Sequence, residues 1–247
     1  EGQQGPMADA AFSTPRGGKG VIKTDLVSNG DGFLFRSVFG APVITTPGGA
    51  TNARQHVYST TNAASTHTVT TIVGREMKSG SVDHEVFTGG QAESWKIMQG
   101  LGPEGGGVTS DVIAKQEFAF DYAGIDRAMA ATGSRTYVDP LHVFGLGGCT
   151  LSLGPDLEDL DEDCLNKFEF ELPTGLDLAD RCISASLARE KAIRGSLPTP
   201  KLSLGRTYDN RDLYDAFLDG EVMAFRAEWV GPVAIEAKVQ GYRGAVL

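Results

Sequence analysis

Strict two-residue alternation constrains this chain more than any other feature. In "KQEFAFDY" (115–122), Phe118, Phe120 and Tyr122 share one face while Glu117, Ala119 and Asp121 take the other. "LNKFEFEL" (165–172) sets Phe168, Phe170 and Leu172 against Lys167, Glu169 and Glu171. "MAFRAEWV" (223–230) alternates Phe225, Ala227 and Trp229 with Arg226 and Glu228, and "AIEAKVQ" (234–240) repeats the pattern with Ile235, Ala237 and Val239. Successive side chains on a strand point to opposite faces, so each run has one dry and one wet face. That is the signature of antiparallel sheets packed as a sandwich or barrel, and the expected class is mainly β.

Shorter runs read the same way. "FLFRSVF" (33–39), "HVYST" (56–60), "HTVTTIV" (67–73) and "SVDHEVF" (81–87) favour strand through their Val, Thr, Ile and aromatic content. Gly89 and Gly90 follow the last of these and precede "SWKIM", which predicts a sharp turn between two strands, with Trp95, Ile97 and Met98 packing the core or a subunit contact. Glycine punctuates many apolar runs; 32 of 247 residues is nearly twice the usual share of about 7%. One short α-helix is expected at about 212–219, where Leu213, Tyr214, Phe217 and Leu218 form a stripe. Asn210 or Asp212 can cap its start, and Gly220 supplies a left-handed stop. Residues 176–194 fit a helix or a loop with a short strand. Residues 1–30, polar and glycine-rich, read as an extended N-terminal arm that packs late or only against a partner, and 31–247 as a single β domain with inserted loops. The chain starts at Glu1 and ends in "QGYRGAVL"; it reads as a processed or partial piece, as if another strand should follow.

Charge narrows the function classes. A net charge of −10 is the wrong sign for gripping nucleic acid, where affinity comes from Lys and Arg displacing counterions. No stretch approaches the roughly 18 apolar residues of a membrane-spanning helix, and the N-terminus lacks the apolar core of a secretory signal. Cys149, Cys164 and Cys182 form no CxxC pair and have no His at ligand spacing, so they read as ordinary thiols.

The motifs of common enzymes are missing as well. There is no GxSxG, HExxH or GxxxxGK(S/T), and "GPEGGGVTSD" (102–111) lacks the lysine and following helix of a phosphate loop. His56, His67, His84 and His142 fall in separate strands or turns, with no spacing that joins them. No catalytic, cofactor-binding or metal residue is assigned, and no cofactor is expected. The one charged cluster is "GPDLEDLDEDCL" (154–165), with Asp156, Glu158, Asp159, Asp161, Glu162 and Asp163. It lacks the glycine and distal glutamate of a calcium loop, which leaves a solvated acidic loop or an electrostatic role facing a lumen or interface.

Taken together, "DGFLFRSVFGAP" (31–42), "HVYSTTNAASTHTVTTIVGREM" with "VDHEVFTGGQAESWKIMQG", "VTSDVIAKQEFAFDYAG" and the C-terminal stretch through "LYDAFLDGEVMAFRAEWVG" resemble the major tail tube proteins of long-tailed, non-contractile bacteriophages. The likeness spans most of 30–240 and lies in the order of elements. It implies a β-sandwich with a flanking helix and homohexameric rings that stack into a tube. Each subunit would contribute strands to an inner β-barrel, around a usually negative lumen through which genome DNA passes transiently into the host cell. The implied partners are further copies of the chain and the tape-measure, terminator and distal-tail proteins, without membrane anchoring. The implied location is the virion tail, assembled in the host cytoplasm. A tail terminator or distal-tail ring of the same fold is the alternative, and a β-sandwich carbohydrate-binding module a more distant one.

Overall fold

The computed structural model describes residues 18–27, 30–48, 52–60, 67–76, 78–80, 82–100, 113–126, 143–145, 148–162, 165–177, 193–194, 196–206 and 211–231. In chain order the elements begin with β1 (Gly18–Asp25), α1 (Gly32–Phe39), β2 (Val43–Thr45), β3 (Gln55–Val57) and β4 (Val69–Glu76). Next come β5 (Val82–Gly100), β6 (Lys115–Tyr122), β7 (Gly124–Asp126), β8 (Cys149–Gly154) and β9 (Asp161–Glu162). The series closes with β10 (Leu165–Pro173), β11 (Leu176–Asp177), β12 (Ile193–Arg194), β13 (Lys201–Arg206), α2 (Asp212–Asp219) and β14 (Ala224–Trp229). Among the described residues the protein is mainly β, with antiparallel sheets and two helices.

The main sheet runs in the order β1-β6-β5-β10-β13, every neighbour antiparallel. Its dry face is built from cross-strand rows, one of Ile22, Phe118, Trp95 and Leu172 and the next of Thr24, Gln116, Ile97, Phe170 and Leu202. Helix α1 lies on this face: Phe35 and Phe39 meet the Trp95 ring edge-on at 5.7 and 5.5 Å. A second sheet, β14-β8-β9, meets the same core through Phe225 and Trp229, whose rings pack on Phe168 at 6.0 and 5.6 Å. Trp229 also donates from Nε1 to Gln99 Oε1 at 2.7 Å, so the two sheets share a buried polar bond as well as apolar area. An unpaired Gln99 at this depth would cost about 1–3 kcal/mol.

Four expectations change. Residues 33–39 are helical, within Gly32–Phe39. Leu34, Ser37 and Val38, buried at helical spacing, outweigh an aromatic content that mimics a strand, and Gly40 at φ 87° stops the helix ahead of Pro42. Second, residues 18–25, expected within an arm that packs late or only against a partner, pair along their full length with β6. Their alternate exposure makes them an edge strand, "GKGVIKTD", whose polarity reflects one wet face.

Third, Gly89 and Gly90 are not a turn. They lie inside the single 19-residue strand β5. Its first half pairs with β4 and β7 and its second half with β6 and β10. Gly89 sits at φ 63°, and a Cβ on Gly90 would lie 2.5 Å from the Tyr122 ring and 2.9 Å from the Val69 carbonyl oxygen. The pair thus bends one strand between two sets of partners, a place that only glycine fills. Trp95 and Ile97 are buried as expected, while Met98 falls on the opposite face. Fourth, only residues 55–57 of "HVYST" and its preceding glutamine are strand; they form a two-stranded hairpin with β2.

Helix α2 occupies the expected residues. Gly220 at φ 68° and the bond from Glu221 N–H to the Ala216 carbonyl close its end. On its expected stripe, Tyr214 and Leu218 are exposed. Of 176–194, the structure describes only the pairing of β11 with β12. The run 234–240, Asn210 and the N-terminal residues 1–17 lie outside the described residues.

Candidate functional site

The expected charged site resolves into a self-closed turn. Asp156 Oδ1 accepts the backbone N–H groups of Glu158 and Asp159 at 2.8 and 2.9 Å, and all three residues are exposed. Asp161 and Glu162 form β9, paired with Leu153 and Ser152, and are exposed too; Asp163 lies outside the described residues. The run therefore sits on the sheet behind the core. Among the described residues no group of three His, Cys, Asp or Glu side chains is placed to hold a metal ion.

The three described histidines fall in different segments. His56 is exposed on β3, His84 is half-buried on β5, and His67 accepts a hydrogen bond at Nε2 from Arg36 Nε at 3.0 Å; His142 lies outside the described residues. Cys149 is half-buried, and burial pushes its thiol up to about 12, which leaves it protonated and a poor nucleophile at neutral pH. The pocket it shares with Gln99, Leu151 and Phe168 holds about 10 Å³, room for roughly one water. Cys164 and Cys182 fall outside the described residues.

The register reveals a different site. On the wet face of the main sheet, Lys23, Glu117, Lys96, Glu171 and Lys201 stand directly opposite one another across five strands, alternating in charge. The adjacent row is Asp25, Lys115, Met98, Glu169 and Ser203. The two rows together carry four lysines and four carboxylates. Two of these lysines are held in ion pairs: Lys23 Nζ lies 2.6 Å from Glu117 Oε1, and Lys96 Nζ lies 2.8 Å from Glu169 Oε1. Lys19 makes a further ion pair with Glu93, the residue at the register shift between β5 and β6. The hydrogen bond to Glu169 holds Lys96 above the usual lysine range; desolvation pulls the other way, and the charges of Glu169, Glu117 and Glu171 add to the rise. The alternation was visible in "KFEFE" and "KQEFAFD"; the matching across strands was not.

One carboxyl lies on the opposite, dry side. Asp31, just ahead of α1, accepts a hydrogen bond from the Gln116 side-chain amide, and Trp95 Nε1 donates to Gln116 Oε1 at 3.4 Å. Burial pushes the Asp31 carboxyl up to about 6, against the opposing hydrogen bonds from Gln116 and the Val27 backbone.

The sheet ends in two edges that no described residue covers along β1 and β13. Because four successive pairings are antiparallel, β1 and β13 point the same way. Val21 on β1 is 54% exposed and Leu202 on β13 is 41% exposed. The β2–β3 hairpin is exposed along all six residues, including Val43, Ile44 and Val57. A scan against protein-family models matched none for this chain, and a search of curated proteins found no match either.

Proposed function

We propose that this chain is a structural subunit of a phage tail tube, in which copies join into rings and rings stack into a conduit for DNA. The observation that carries the reading is the main sheet: one face covered by the subunit's own core, one face wet, and two edges, covered by no described residue, that run in the same direction. An exposed edge is a template for pairing with another chain. Joining β13 of one copy to β1 of the next leaves every copy pointing the same way, the condition for a head-to-tail ring. Repeated around an axis, that contact removes both edges, as closure does in a barrel. The covered face then turns outward and the wet face inward.

The charge rows restrict the join. Setting Lys201 beside Lys19 or Lys23 opposes like charges. Setting it beside Val21 instead places Leu202 by Ile22, Ser203 by Lys23 and Gly205 by Asp25, which matches apolar with apolar and avoids the clash. The exposed β2–β3 hairpin and α2 offer further apolar surface for contacts between copies. In this reading the protein is a scaffold with a β-sandwich body. It requires no cofactor, and it works in the virion tail with tape-measure, terminator and distal-tail partners.

Negative-stain microscopy of the purified protein tests the proposal. Hollow tubes are the expected result; isolated rings would point to a terminator or distal-tail ring, and monomers that bind sugar would sink both. A charge at either edge, Val21→Lys or Leu202→Lys, should leave the melting temperature of the monomer within a few degrees and abolish assembly. Undisturbed tubes would place the contact elsewhere.

A further inference from the structure

We infer that the ionic face of the main sheet is the wall along which duplex DNA passes, and that its carboxylates serve to keep its lysines off the phosphates. The inference rests on the tube reading, which turns this face toward the lumen. It differs from the negative wall implied by the tail-tube resemblance, because the two rows are balanced in charge.

The physical case starts from affinity. Each lysine that meets a phosphate releases condensed counterions and adds to binding, which a conduit must avoid. A wall stripped of lysine would repel DNA at the mouth of the tube, whereas a balanced wall neither holds nor repels it. Neighbouring strands are about 4.8 Å apart, well inside the Debye length of about 10 Å at 0.1 M salt, so alternating charges cancel at the distance of a passing backbone. Close pairing strengthens this. Lys23 and Lys96 are held at 2.6 and 2.8 Å by Glu117 and Glu169, and Lys96 also faces Glu171 in register. The acidic turn at Asp156 lies on the other sheet and plays no part in the wall.

The test compares equal charge changes at two places. One variant carries Glu117→Gln, Glu169→Gln and Glu171→Gln; the other carries Asp156→Asn, Glu158→Gln and Asp159→Asn. Tubes of each are incubated with a short fluorescent DNA duplex at low salt, treated with nuclease and sedimented. The sheet variant should retain about tenfold or more nuclease-protected duplex than either wild-type or loop-variant tubes, with retention falling steeply as salt rises. Equal retention by the two variants, or duplex that nuclease removes, overturns the inference while leaving the tube reading intact. Failure of the wild-type protein to form tubes is seen in the microscope and sinks both. Glu169→Gln alone, the mildest change, should raise retention by a smaller factor if the triple variant does not assemble; no rise would overturn the inference.

Discussion

Two charged regions of this protein behave in opposite ways. The acidic run from Asp156 to Glu162 is dense in sequence, yet in space it is an exposed turn tied to its own backbone followed by a two-residue edge strand. The rows from Lys23 to Lys201 are spread over about 180 residues of chain, yet in space they stand side by side. Density of charge along a chain reports solvation. Register across a sheet reports what a surface can do.

That contrast can be broken or sharpened by substitution. The largest effect is expected at the bend that holds β5 in register. Gly90→Ala forces a Cβ against Tyr122 and the Val69 carbonyl and should cost about 2–3 kcal/mol in urea unfolding. At the acidic turn, Leu157→Ala trims an exposed side chain, and the cost should stay near about 0.5 kcal/mol or less. Equal costs would erase the distinction between a register-bearing sheet and a solvated loop.

A middle-sized effect tests the charge on the dry side. Asp31 has its carboxyl raised to about 6 by burial, so the folded protein binds that proton more tightly than the unfolded chain does. Stability from this group is present below about pH 4 and is lost as pH rises to about 6. Asp31→Asn should therefore stabilise the protein at pH 7.5 by about 1 kcal/mol, after discounting for partial exposure, and change little at pH 4. A loss of stability at pH 7.5 would mean that the carboxylate has a stabilising partner.

The smallest effect separates the two regions directly. Glu117→Gln should lower stability by about 0.5 kcal/mol at low salt and less at high salt. Glu158→Gln, on the acidic turn, should have no measurable effect. A larger loss at Glu158 would show that the turn is held by its side chains.

Sequence alone was a good guide where local pattern decides structure. The alternation in 115–122 and 165–172 produced β6 and β10 nearly residue for residue, and α2 carried its own stop at Gly220. It misled where tertiary contact decides. Phe33, Phe35 and Phe39 look like strand residues until Leu34, Ser37 and Val38 are seen to face the core together. Gly89 and Gly90 look like a turn because a bend inside a long strand needs the same residue. The ionic face was not legible, because a one-residue shift of any strand would move that strand's charges from the wet face to the dry one.

The central claim is that the sheet continues from copy to copy through β13 and β1. Cysteines introduced together at Val21 and Lys201, with Cys149, Cys164 and Cys182 replaced by serine, report on it directly. On mild oxidation of assembled protein, a denaturing gel should show a ladder of linked copies that stops at six. Linked dimers alone, or assembled protein with no links, would contradict the head-to-tail sheet.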